Sequence, residues 1–289
     1  MFLDHTCVPL FFVISGYLFF LKVPDVVNKE YFFKKWKSRI SSLLVPYIIA
    51  NTLYMILAIV RHEAFIAPSL LIGYWTGPDG LPFDAPLWFL RDLMIACLCS
   101  PLVLFIIRKT NVVLPLTLLI LWFLGISPIP YKGFGINGLC FFTMGAYLSI
   151  NSIDIVAKIK LSSTSLGYIL AYLGILTVAY YSDNTYLLNL SVLFSFPMWI
   201  LLSKWLSHNI NKSCPKLLIT GTFFIYMYHY FYVTVFSSRV ILAVLGTSEP
   251  MCFIAYIFGT LFTIGFLYGI YLLINKYLPI VSSILVGGR

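Results

Sequence analysis

Ionisable side chains are scarce in this 289-residue chain, and those lying inside long apolar runs are the first candidates for chemistry. A charge at the centre of a membrane helix costs on the order of 3 kcal/mol or more unless it snorkels or finds a partner. Arg91 and Asp92 lie one to two turns into the run that starts at Pro86, and as i,i+1 neighbours they point in different directions. On a functional reading Asp92 meets a cation from another helix. On a bland one Arg91 snorkels to the outer interface and Asp92 lines a wet crevice. His229, in Thr222-Phe223-Phe224-Ile225-Tyr226-Met227-Tyr228-His229-Tyr230, is either a proton carrier or substrate contact, or a neutral histidine bonded to another helix. Tyr226, Tyr228, Tyr230 and Tyr232 alternate around their helix and form no single stripe.

The basic stretch Lys34-Lys35-Trp36-Lys37-Ser38-Arg39 precedes the run through Val45-Pro46-Tyr47. Its evident reading is a stop-transfer or anionic-lipid cluster, and the alternative is a site for an anionic donor, since Lys and Arg offer phosphates charge-assisted hydrogen bonds. In Phe11-Phe12-Val13-Ile14-Ser15-Gly16-Tyr17 the small Ser15-Gly16 pair interrupts a bulky helix, which is how membrane helices approach closely. The chain offers no Ser-His-Asp order, Walker loop, dinucleotide fingerprint or zinc spacing, so no metal and no bound cofactor is expected. The six cysteines lie mostly within apolar runs and read as packing residues.

The elements that must hold these residues are membrane helices. Hydrophobic residues are 61% of the sequence, charged residues 10%, and mean hydropathy is +0.95, against about 25% charged content in soluble domains. Apolar stretches over 6–22, 40–60, 86–107, 112–127, 135–150, 166–182, 185–203, 217–237 and 252–275 predict an all-α polytopic bundle of about nine crossings. They form a single membrane domain over 1–289. The formal charge of +9 is not arranged as a stripe with interleaved aromatics, so nucleic acid is not an expected partner.

Orientation follows from Lys and Arg alternation. With Lys29, Lys34, Lys35, Lys37 and Arg39 inside, strict alternation also puts Arg108, Lys109, Lys158, Lys160, Lys204, Lys212, Lys216, Lys276 and Arg289 inside, leaving Arg61, Lys132 and Arg239 outside. Met1 then falls on the outer face, and a preceding inside-to-outside helix is expected. The outside segment from Arg61 to Ala85, with Trp75 and the turn signal Gly77-Pro78-Asp79-Gly80, reads as an interfacial cap.

The run Val8-Pro9-Leu10-Phe11-Phe12-Val13-Ile14-Ser15-Gly16-Tyr17-Leu18 resembles the Phe-Phe-x-x-Ser-Gly signature of the bacterial acyltransferase 3 family. Further parts agree in order: a basic helix into Leu43-Leu44-Val45-Pro46-Tyr47, then Pro86-Leu87-Trp88-Phe89-Leu90-Arg91-Asp92-Leu93, Phe141-Phe142-Thr143-Met144-Gly145-Ala146-Tyr147 and Phe224-Ile225-Tyr226-Met227-Tyr228-His229. The resemblance implies a ten-helix fold in the plasma (inner) membrane. It implies transfer of an acyl group, often acetyl, from a cytoplasmic acyl-coenzyme A to a hydroxyl of an envelope carbohydrate or lipid-linked sugar. It assigns Lys35 and Arg39 to the donor's phosphates, although the family's Arg-x-x-Arg spacing is not reproduced. The family's Arg and His resembling a catalytic pair sit on a helix ahead of the Phe-Phe-x-x-Ser-Gly run. The chain is therefore expected to be N-terminally incomplete and inactive as given, with His5 standing too close to the Ser-Gly motif to replace that His. The competing reading is a transporter or flippase of an envelope lipid or sugar, in which Arg91, Asp92 and His229 are pathway residues.

Overall fold

A computed structural model describes residues 4–62, 71–77, 80–127, 136–160, 164–182, 184–210, 215–230 and 233–288. Every regular element among them is helical. The protein is an all-α polytopic bundle, and many of its exposed large side chains are Leu, Ile, Val and Phe, the surface that a lipid solvent favours. Pro78, Asp79, Lys132, Lys212, Cys214, Tyr232 and Arg289, all used in the sequence reading, lie outside the described residues.

Each apolar run has a helical counterpart. Lys29–Val60, Thr185–His208 and Glu249–Tyr277 are long and apolar enough to cross a membrane unaided. Two further spans are bent: Ala85–Leu98 with Ser100–Thr110 at 60°, and Lys216–Tyr228 with Val233–Leu245 at 77°. The remaining four, Thr6–Phe20, Val113–Phe123, Ile136–Ile150 and Ser165–Ala179, are shorter than the roughly 20 residues of an untilted crossing. The first bend follows from Pro101 in the opening turn of the second half, because proline has no N–H to continue the ladder from the preceding helix.

The chain divides into two compact units, Met1–Trp36 with Asp92–Ser213, and Lys37–Arg91 with Cys214–Arg289. In the first, α1 (Asp4–Phe20) crosses the helix α8 (Ile136–Ile150) backbone to backbone. A Cβ added at Gly16 would collide with the Phe142 carbonyl oxygen, and one at Gly145 with that of Val13. The Ser15-Gly16 and Met144-Gly145 motifs are thus two halves of one crossing. Phe12, Phe19, Phe20, Phe141 and Phe142 are fully or almost fully buried around it, whereas Phe11 is 57% exposed.

Interactions at helix ends agree with the charge alternation. Within the first unit, Arg108, at the end of α6 (Ser100–Thr110), donates to the Pro24 and Asp25 carbonyls at 2.6 and 2.7 Å. Lys204 Nζ donates to the Ile159 carbonyl at 2.5 Å. Each interaction joins segments that alternation places on the same side.

The second unit holds the rest of the basic helix α2 (Lys29–Arg39), one widened π turn at Ile40–Leu44, and α3 (Val45–Val60). The short α4 (Leu71–Thr76) leads to the start of α5 (Trp88–Leu98). The C-terminal half adds α12 (Lys216–Tyr228), α13 (Val233–Leu245), α14 (Glu249–Tyr277) and α15 (Pro279–Leu285). Thr220 Oγ1 lies 2.5 Å from the Tyr271 hydroxyl, tying α12 to α14.

Candidate functional site

The first candidate is a cavity of about 540 Å³ in the second unit, lined by Ser38, Arg39, Ser41, Ser42 and Val45 at one wall and Ser283, Ile284, Gly287 and Gly288 at the other. Two local features make it. The π turn at Ile40–Leu44 interrupts regular helix just after Arg39. Opposite, the chain leaves α15 through Gly287 at φ +71°, a left-handed conformation that glycine adopts without strain. Gly287 packs so close to the Ser42 carbonyl that any Cβ there would overlap it. Among the described residues the lining carries one guanidinium, four serine hydroxyls and no carboxylate, a donor set suited to an anion. The Ser42 hydroxyl is buried with no hydrogen-bond partner among the described residues.

Lys35, paired with Arg39 by the resemblance, does not line this cavity. Its ammonium donates to the Phe19 carbonyl at the end of α1 and lies 4.9 Å from the centres of the Phe19 and Tyr31 rings. A cation there satisfies an orphan carbonyl and complements the negative end of the helix dipole.

The second candidate is the polar group where α3, the start of α5 and the end of α12 meet. Arg91 is almost fully buried, at 6% exposed, and its Nη1 donates to the Thr76 carbonyl at 2.9 Å, Gly77 at 3.3 Å and Gly80 at 2.8 Å. It clasps the turn after α4 and does not snorkel. Asn51, buried on α3, accepts from the Asp84 backbone N–H at 3.0 Å and donates to the Tyr47 carbonyl at 3.1 Å. The Tyr226 hydroxyl donates to the Pro86 carbonyl at 2.9 Å. His229 follows α12 as its cap, half-buried, with Nδ1 2.8 Å from the Tyr226 carbonyl oxygen.

Asp84 is the residue that the sequence reading missed. Its side chain is fully buried and neither carboxyl oxygen has a hydrogen-bond partner among the described residues. It lies just before the span that begins at Ala85. Burial pushes its carboxyl up to about 7.

Asp92 follows Arg91 on the same helix, where successive side chains diverge by about 100°. It is fully buried within the first unit, where Gly138 admits both the Phe12 ring and the Asp92 Cβ, each just over 3 Å from where a Cβ would stand. Ser15 is half-buried beside Gly16. His5 falls in the first turn of α1 and its side chain lies outside the described residues. No cluster of three or more His, Cys, Asp or Glu able to hold a metal occurs among the described residues.

Residues 1–272 match the acyltransferase domain family. The succinoglycan biosynthesis protein ExoH of Rhizobium meliloti (strain 1021) is 24% identical over 205 residues, which are 67% of this chain and 51% of that protein. The chain thus spans about half the length of this curated relative. No solved structure matches.

Proposed function

The chain belongs to the acyltransferase domain family, and on that premise we propose that it is a plasma-membrane O-acyltransferase acting on a cell-envelope carbohydrate. The acyl group, acetyl in the simplest case, comes from a coenzyme A thioester on the cytoplasmic side. The acceptor hydroxyl, on a carbohydrate or lipid-linked sugar, attacks the thioester carbonyl. A C–O bond forms, the C–S bond breaks, and the hydroxyl proton passes to a general base and on to the departing thiol. The carbohydrate acceptor is supported by the relative named for succinoglycan biosynthesis.

The observation that carries this reading is the Arg39 cavity. An acyl donor built on coenzyme A brings phosphates, and the cavity's described lining offers a guanidinium and four serine hydroxyls. Its walls join the basic helix to the chain's C-terminal turn, both on the side where alternation places the cytoplasm. Lys35 stands four residues ahead of Arg39 in the basic stretch, with its ammonium on the Phe19 carbonyl within the first unit.

Coenzyme A binding to the protein in lipid nanodiscs tests the reading. Wild type should bind acetyl-coenzyme A, and Arg39→Ala should weaken binding by ~10-fold or more, the loss of one charge-assisted contact. Absence of binding by wild type, or equal binding by both, would remove the donor site from this cavity.

A further inference from the structure

Asp84 calls for a physical explanation that acyl transfer does not supply. A carboxyl group sealed from solvent with both oxygens bare is costly, and folded proteins retain few such groups without a use for them. Its backbone is held at both ends: the N–H by Asn51, and the carbonyl by the Leu87 N–H at 3.0 Å. The side chain is therefore kept in its apolar position by contacts that do not touch the carboxyl itself. The titratable groups within electrostatic range of it are Tyr226 and Tyr228 on α12; Tyr47 on α3 lies within range of Tyr226, and Arg91 follows seven residues on in α5. Arg91 spends Nη1 on three carbonyls of the turn after α4, and no cation is among the causes that move Asp84's acid–base balance.

We propose that Asp84 is a proton-binding site whose occupancy latches the segment 81–87 closed against α3 and α12. With the proton on, a neutral carboxyl tolerates its buried place. With the proton off, the carboxylate has no hydrogen-bond partner among the described residues and is relieved when the segment opens to water or to hydroxyl groups. The sign follows from the raised acidity constant. The sealed form binds a proton that an exposed aspartate has already released, so closure loses stability as pH rises from about 4 to about 7 and loses no more above that. The pH-dependent loss of closure is thus nearly complete by neutral pH. It is independent of the donor assignment, because nothing in it involves Arg39 or coenzyme A.

Hydrogen exchange of the full chain in nanodiscs, corrected for the intrinsic pH dependence of exchange, reads this directly. Protection across 81–87 in wild type should fall by ~10-fold or more between pH 5 and pH 8, the linkage limit being tenfold per pH unit. Asp84→Asn, neutral at every pH and nearly isosteric, should hold its protection constant over that range. Wild-type protection that is flat with pH overturns the proposal without reference to any variant. An equal decline in Asp84→Asn overturns it as well, since the titrating group would then lie elsewhere. Coenzyme A binding measured on the same samples separates failure of the latch from failure of the donor site.

Discussion

Among the individual residues, Arg91 shows how a buried cation is accommodated in this protein. Three backbone carbonyls accept from one nitrogen, so dipoles of the turn stabilise a charge that also shapes it. Arg91→Ala should destabilise the protein by ~2–4 kcal/mol, because hydrogen bonds to charged groups carry more than neutral ones and the carbonyls would be left orphaned. Arg91→Lys should recover part of that loss, and thermal unfolding in detergent measures both. A sequence reader sees Arg91 and Asp92 at once, because charges stand out in an apolar run. Asp84 does not stand out, because it precedes the run in a segment that reads as solvated. What buries it is remote: Asn51 is 33 positions away, and Tyr226 reaches Pro86 from 140 positions along the chain. No local pattern could have located that burial.

At the scale of elements, the α1–α8 crossing gives the Phe-Phe-x-x-Ser-Gly motif a structural reason. Without a strong hydrophobic drive between helices in lipid, close backbone approach supplies the packing energy, and only glycine leaves room for it. Gly16→Val and Gly145→Val should each cost ~1–3 kcal/mol or more by overpacking against carbonyl oxygens that cannot move aside cheaply. Gly174, inside α10 (Thr164–Tyr181), has nothing within 4 Å of an added Cβ, and Gly174→Ala should be neutral or stabilising by ~0.5–1 kcal/mol through helix propensity. Chemical denaturation of the variants side by side separates the two effects. The nine apolar runs were legible because hydropathy reports helices directly. The breaks after Leu98 and Tyr228 were not, since apolar composition continues across them. The pairing of Gly16 with Gly145 was equally hidden: each motif was visible, but contact between positions so distant in sequence leaves no periodic trace.

For the whole molecule, charge and chemistry run in the same direction. The Lys and Arg residues fall mostly in segments that alternation assigns to the cytoplasm, the side from which the proposed anionic donor would come, and Arg39 of the second unit's cavity is one of them. Raising ionic strength should weaken coenzyme A binding in wild type more than in Arg39→Ala, as expected for a recognition step partly carried by a charge open to screening. A salt titration of the binding constant checks this. An envelope transporter would show no such dependence on the donor's phosphates, because its cycle does not use coenzyme A. The most direct measurement is transfer itself: membranes from cells expressing the protein from its whole reading frame, with whatever coding sequence lies in frame ahead of Met1, are supplied with coenzyme A carrying a labelled acyl group, and the envelope carbohydrate is analysed by mass. The expected result is label in ester linkage on the carbohydrate, abolished by mild alkali and reduced at least ~10-fold in Arg39→Ala membranes. Carbohydrate with no more labelled ester than in membranes lacking the protein would contradict the assignment of acyl transfer.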